Sequence, residues 1–150
     1  LIIRRANVQD VKAIKEIIEP YAKKEIMLPR PLSELYESVR NFYVCEEEGD
    51  IIGCCALQVS WQNMAEVLSL AVKPEFTRKG IGSILLDACL NDAEELKVNT
   101  VFTLTYAVPF FEKKGFHVVD KHTLPHKIWS GCIKCPKFPN CDEVAMVRKL

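Results

Sequence analysis

Apolar residues recur along this chain in two rhythms, and the switches between them mark out its elements. Leu1-Ile2-Ile3 before Arg4-Arg5 reads as a first strand, after which Val8, Val11, Ile14, Ile17 and Ile18 repeat at helical spacing up to Pro20 or a turn beyond. Asn7, with Asp10 three residues on, has the form of a helix N-cap with an acidic partner. In Met27-Leu28-Pro29-Arg30-Pro31 two prolines hold the chain extended around one arginine. A second short helix, from Ser33 to about Asn41, is predicted to turn Leu35, Tyr36 and Val39 inward. From Phe42 the pattern becomes β. Phe42 to Glu46, a turn at Glu48-Gly49-Asp50, and Ile51 to Trp61 form a hairpin whose second strand is apolar on both faces. A third antiparallel strand runs from Ala65 to Lys73. Beyond a long helix come a strand from Val98 to Thr105, a short helix from Val108 to Lys114 and a strand from Phe116 to Asp120. Glu143 to Arg148 is expected to close the sheet as an edge strand. With no repeat, low-complexity tract or linker, residues 1–150 read as a single α/β domain, a mixed, mostly antiparallel sheet flanked by helices.

The stretch richest in chemistry follows the third strand. Leu68-Ser69-Leu70-Ala71-Val72 ends at Pro74, and after Thr77-Arg78-Lys79 the glycines Gly80 and Gly82 open a helix continuing through Ile84, Leu85, Leu86, Ala88 and Cys89. Glycine permits close backbone approach, and the first helical turn offers unpaired N–H groups at the positive end of the helix dipole. An anion, above all a phosphate, belongs at that helix start. The spacing fits neither G-x-x-x-x-G-K-[ST] nor the three-glycine dinucleotide fingerprint. Read from the loop alone, the alternative is an ordinary strand-to-helix turn that the glycines serve and nothing more.

Composition narrows the partners. With 150 residues, 49% of them hydrophobic, the chain is long enough for one packed core. Its 20 basic and 20 acidic residues cancel, so the basic footprint of a nucleic-acid or anionic-membrane partner is missing. No apolar run reaches the length of a membrane span, and the start lacks the order of a secretory signal, although residue 1 is not Met. The 7 cysteines, several in apparent core strands, suit reduced thiols in a cytoplasmic protein better than a secreted disulfide framework.

Thr77-Arg78-Lys79-Gly80-Ile81-Gly82 resembles the acyl-CoA pyrophosphate loop of the GCN5-related N-acetyltransferase (GNAT) family, usually [QR]-x-x-G-x-[GA], with Thr77 where Gln or Arg is usual. Phe110-Phe111-Glu112-Lys113-Lys114-Gly115-Phe116 is similar to the family's second signature, F-Y-E-K-x-G-F. Here Phe111 replaces the tyrosine that many members use as general acid. The order of elements agrees over essentially the whole chain. Met27 to Leu35, Ile52 to Leu57, and Val101 to Thr105 leading to Phe110 and Leu124-Pro125 are similar to the acetyltransferase domain of the N-acetylglutamate synthases, which open arginine biosynthesis. Those enzymes often carry a kinase-like domain, so the resemblance implies a stand-alone short form to which arginine feedback through such a domain does not carry over. It implies the GNAT fold, with acetyl-CoA as co-substrate between splayed central strands and a small-molecule amino acid as acceptor. The most specific expectation is direct attack by the α-amino group of L-glutamate. A homodimer is common in the family, with exposed edge strands as the usual cause.

The resemblance also brings site residues. Leu70, Ala71 and Val72 are expected to pair with the pantetheine as an added strand, and Thr77, Arg78, Lys79, Gly80, Ile81, Gly82, Ser83 and Phe110 complete the cofactor set. Glu66, six residues before Val72, corresponds to a family glutamate that acts as base through a water; a solvated charge on a sheet face is the alternative. Tyr106 is a candidate to donate a proton in place of the missing tyrosine, or simply a strand-end aromatic. Arg30 matches a subfamily arginine expected to bind a glutamate carboxylate, for which its planar fork is suited; the alternative is an exposed loop arginine. Ser69 matches a small polar position near the acceptor amine and Lys114 a basic one, against a core serine and a solvated helix-end lysine.

Cys132-x-x-Cys135 with Cys141, and His126 nearby, has the donors of a Cys₃His zinc site but half of the paired spacing that marks such sites. Thiols or one disulfide pinning a Pro-rich loop are the alternative, and no metal is assigned. Cys45, Cys54, Cys55 and Cys89 read as core packing. Two rival functions stand beside the main expectation. One is transfer to another small amine, amino acid or protein N-terminus, and the other is a non-catalytic acetyl-CoA-binding regulatory module.

Overall fold

The computed structural model describes residues 1–124 and 142–150. Its first strand, β1 (Ile2–Arg5), hands over to a 3₁₀ turn at Val8–Asp10 with a complete capping box. The Asn7 side chain accepts the Gln9 N–H at 2.9 Å, and the Asp10 carboxylate accepts the Asn7 N–H at 2.8 Å. That carboxylate also receives the guanidinium fork of Arg4 at 2.8 and 3.0 Å, which ties β1 to the start of α1 (Val11–Lys23). Helix α1 buries Val11, Ile14, Ile17 and Ile18 on one face and ends one turn past Pro20. The second helix, α2 (Leu32–Glu37), is shorter than predicted, and a separate 3₁₀ turn follows at Val39–Asn41. Leu35 is therefore buried and Val39 half-buried, but Tyr36 faces solvent rather than the core.

Among the described residues seven strands make one sheet in the order β1-β2-β3-β4-β5-β7-β6, with β2 (Phe42–Glu47), β3 (Asp50–Trp61), β4 (Met64–Val72), β5 (Thr100–Thr105), β6 (His117–Val119) and β7 (Val144–Lys149). Every neighbouring pair is antiparallel except β4 with β5. The expectation that the last strand forms an edge is corrected: β7 pairs with β5 on one side and β6 on the other. Its Ala145, Met146 and Val147 are buried, whereas the shorter β6, with His117 and Val118 exposed, takes the edge. Continuous burial belongs to an inner strand and a short, exposed strand to a margin. The fifth strand starts at Thr100, not Val98, because Lys97 turns the chain at φ 65 and the Val98 N–H is held by the Ala93 carbonyl at 3.2 Å.

Helix α3 (Ile81–Glu95) covers one face of the sheet and α1 the other, and α4 (Val108–Lys113) follows β5. Strand β3 serves both layers. Cys54 and Ala56 join Val11, Ile14 and Phe42 on the α1 side, whereas Ile52, Cys55 and Leu57 join Leu85, Leu86 and Cys89 on the α3 side. This is why β3 reads apolar at nearly every position in its first half. Cys45, Cys54, Cys55 and Cys89 are buried free thiols, as core packing requires. Among the described residues no helix is long and apolar enough to cross a membrane.

Candidate active site

The parallel pair β4 and β5 is joined only at its start, where Met64 faces Thr100, Ala65 faces Val101 and Glu66 faces Phe102. At the fork the Thr103 hydroxyl donates to the Val67 carbonyl at 3.0 Å, satisfying an acceptor that the ladder has left behind. Beyond it a cavity of about 860 Å³ opens between residues 68–72 and residues 103–107, with Phe110 and Phe111 also on its walls. Backbone edges that have parted in this way accept an extended chain between them. Strand β4 is bulged at the same place: Cys54 faces Ala71 and Ala56 faces Leu68, so two steps along β3 answer to three along β4. The extra length is absorbed at Ser69, whose φ of 55 lies in the left-handed region.

From β4 the chain passes through a 3₁₀ turn at Pro74–Phe76, where the Thr77 hydroxyl donates to the Pro74 carbonyl at 2.8 Å. Arg78 and Gly80 then take left-handed φ values of 63 and 81, and α3 begins at Ile81 with no side-chain cap. The Ile84 N–H bonds the Gly80 carbonyl at 3.1 Å. The three N–H groups before it, of Ile81, Gly82 and Ser83, have no carbonyl a turn earlier and suit an anion. Thr77, Arg78 and Lys79 are exposed around this helix start, and the Lys79 ammonium lies 5.4 Å from the centre of the Phe76 ring. A Cβ on Gly80 would meet open space but at a φ that penalises it. Gly80→Ala is therefore expected to lower unfolding free energy by about 1 kcal/mol, read by urea denaturation.

Arg30 stands on the cavity wall, buried to 6% exposure. It donates to the Ser69 hydroxyl at 2.8 Å and to the Ser38 hydroxyl at 3.2 Å, and lies 5.7 Å over the Phe42 ring. Lys15 holds its backbone carbonyl at 2.9 Å, and the Ser38 hydroxyl donates to the Glu34 carbonyl at 2.7 Å. Among the described residues no carboxylate forms an ion pair with Arg30. Burial draws its pKa down, against the opposing charges of Glu34 and Glu66. Glu66 lies on the same wall, half-buried. Its carboxyl is pushed up to about 7, first by burial and then by the charge of Glu143, with Arg30 opposing. A carboxyl tuned so far is matched to proton transfer near neutral pH.

Tyr106 lines the cavity at 38% exposure, and its hydroxyl donates to the Asp142 carboxylate. Lys114 is elsewhere: its ammonium holds the Ser83 hydroxyl at 2.9 Å and the Asp87 carboxylate at 2.6 Å, tying the end of α4 to α3, and it is not on the cavity wall. The structure thus gathers Arg30, Ser69, Glu66 and Tyr106 around one cavity with Leu70, Ala71, Val72, Thr77, Gly82 and Phe110. Cys132, Cys135, Cys141 and His126 lie outside the described residues, among which no cluster of three or more metal-binding side chains occurs. Sequence reasoning missed Glu34, four residues after Arg30 on α2, and Tyr21 at the end of α1, whose hydroxyl donates to the Val72 carbonyl. A helical wheel of α2 carries a signal for the first. Nothing local signals the second, which reaches β4 only through tertiary packing.

Comparison with known proteins agrees with this geometry. Residues 38–118 match the family described as "Acetyltransferase (GNAT) domain". An uncharacterized N-acetyltransferase of Chlorobaculum tepidum is 42% identical over 148 residues, 99% of this chain and 96% of that protein. The amino-acid acetyltransferase of Mycobacterium tuberculosis is 39% identical over 122 residues, 79% of this chain and 70% of that one. Among solved structures, N-acetylglutamate synthase from Neisseria gonorrhoeae, complexed with coenzyme A and N-acetyl-glutamate, superposes with a TM-score of 0.90 at 25% identity, covering 99% of this chain and 35% of that one.

Proposed function

Because this chain belongs to the GNAT family and is an acetyl-CoA-dependent N-acetyltransferase, we propose that it acetylates the α-amino group of L-glutamate, the first step of arginine biosynthesis. The observation that carries the proposal is Arg30, a buried guanidinium on the cavity wall that makes hydrogen bonds to hydroxyls and has no carboxylate ion-pair partner among the described residues. A buried cation without a counter-ion is costly, and an acceptor carboxylate that supplies one binds strongly there. Relatives support the same reading through their descriptions as amino-acid acetyltransferases.

In the proposed reaction the thioester of acetyl-CoA lies in the fork, its pantetheine along Leu70, Ala71 and Val72 and its pyrophosphate at the N–H groups of Ile81, Gly82 and Ser83. Lys73 donates its N–H to the Ile52 carbonyl on β3 at 2.8 Å, so strand alternation directs the N–H groups of Val72 and Leu70 away from β3, toward the cleft. Arg30 and Ser69 hold the amino acid. Glu66, through a water, removes a proton from the α-ammonium, and the free amine attacks the acetyl carbonyl carbon. Backbone N–H groups of the bulged strand, Leu70 first among them, stabilise the tetrahedral oxyanion. The C–S bond then breaks and the thiolate leaves. Tyr106, oriented by Asp142, is the phenol proposed to return a proton to sulfur. Because CoA thiolate is itself a competent leaving group near neutral pH, Tyr106→Phe is expected to lower kcat by only about 3- to 10-fold, less than the usual gain from an essential acid. Steady-state rates at saturating acceptor check this. The reading as a whole is tested by incubating the protein with acetyl-CoA and L-glutamate and following the product by proton NMR. An amide N–H coupled to the α-proton supports it, and an unchanged amino acid excludes it.

A further inference from the structure

Cys54 belongs to the α1 layer by burial, but its sulfur is not spent on packing alone. It lies on β3 opposite Ala71, at the step where β4 carries its extra residue. Its Sγ donates to the Ser69 carbonyl at 3.4 Å. The thiol therefore reaches the carbonyl of the bulged residue itself, where the β3–β4 ladder is out of step. Cys54 is fully buried, and burial pushes its thiol up to about 12, so the proton that serves Ser69 stays on sulfur. The long S–H···O distance suits the large sulfur atom.

What the bulge orients is the acceptor end of the cavity. Ser69, at φ 55, presents its hydroxyl to Arg30 at 2.8 Å, and the next residue, Leu70, begins the stretch along the cleft. A non-glycine residue in the left-handed region is held there against a steric preference, so neighbouring contacts must over-determine it. Backbone donors cannot do this alone, because the ladder is out of step between Cys54 and Ala56. We propose that Cys54 is a positioning residue: its thiol, bonded to the Ser69 carbonyl, holds the β4 bulge in the form that aims the Ser69 hydroxyl at Arg30 and the Leu70 N–H into the cleft. The inference rests on the acceptor and oxyanion assignments made above, and it adds a side chain outside the cavity that sets both.

Three variants separate hydrogen bonding from volume. Cys54→Ser keeps a donor and acceptor at nearly the same place, Cys54→Val keeps bulk without either, and Cys54→Ala keeps neither. Each is measured for kcat and for KM of both substrates, using whichever acceptor the wild type turns over, so that a wrong acceptor does not sink the test. The expected result is a fall in kcat of about tenfold in Cys54→Val and Cys54→Ala, the loss of one buried hydrogen bond, with KM for the acceptor raised and KM for acetyl-CoA within about twofold of wild type. Cys54→Ser is expected to recover most of kcat. As an activity-independent readout, the carbon chemical shifts of Ser69 are expected to leave the left-handed range in Cys54→Val and to keep it in Cys54→Ser. Cys54→Val with wild-type kcat and unchanged Ser69 shifts would overturn the proposal. So would Cys54→Ser with no more activity than Cys54→Ala at equal melting temperature.

Discussion

Replacing Arg30 with alanine is expected to lower kcat/KM for L-glutamate by about 10²- to 10³-fold, carried mainly by a higher KM, because a charge-assisted bond to a carboxylate is lost from a buried position. The size follows from burial: Arg30 is 6% exposed, so water offers the bound carboxylate little replacement. Removing the side chain also strips Ser69 and Ser38 of their donor. Arg30→Met, which restores bulk without charge, separates substrate binding from packing. It is expected to melt closer to wild type than the alanine variant while showing the same loss of kcat/KM. Arg30→Lys keeps the charge but not the fork, and is expected to recover only part of the loss. Initial rates over a glutamate titration, together with melting curves of all three variants, check this.

Glu66→Gln is expected to reduce kcat by about 10²- to 10⁴-fold, the range for loss of a positioned general base. The wild-type rate should climb with pH through about 7, where Glu66 ionises, and the amide variant should lose that limb. The sign for stability runs the other way. Burial raises the folded pKa of Glu66 above its ordinary 4.5, so the folded protein binds this proton more tightly than the unfolded chain. Its contribution is complete below pH 4.5 and is lost as pH rises through about 7. Glu66→Gln should therefore melt higher than wild type at pH 8 and about equally at pH 4, while being nearly inactive. A variant that gains stability and loses activity is the signature of a carboxylate kept under strain for chemistry.

The strand-to-helix loop before α3 was legible in the sequence because its physics is local: a proline after the strand, a glycine at a left-handed position and a helix start are all set within a few residues. Glu66 and Arg30 stood out as candidates by their positions in a family pattern, but their surroundings were not legible. The raised pKa of Glu66 comes first from burial and then from the charge of Glu143, 77 positions away in sequence. Arg30 owes its burial to Phe42 and to a serine whose backbone only a bulge explains. Lys114 holds Ser83 and Asp87 on α3, contacts between two helices that no local pattern announces. The last strand misled for a similar reason. The apolar run Val144 to Val147 marks a strand but not which strands lie beside it, and among the described residues β6 closes the edge after β7 has paired. Tyr36 turns outward because α2 buries Leu35, and the next residue of a helix stands about 100° further round.

The central claim is that a carboxylate-bearing α-amino acid is held by Arg30 while its amine is acetylated. The most direct measurement is free-thiol release from acetyl-CoA at pH 8 with L-glutamate, L-aspartate, L-glutamine and spermidine side by side, for wild type and Arg30→Ala. The account predicts fastest release with L-glutamate and a loss in Arg30→Ala that is largest for that acceptor. Preferred release with spermidine, or an Arg30→Ala variant that keeps both the rate and the ranking of acceptors, would contradict it.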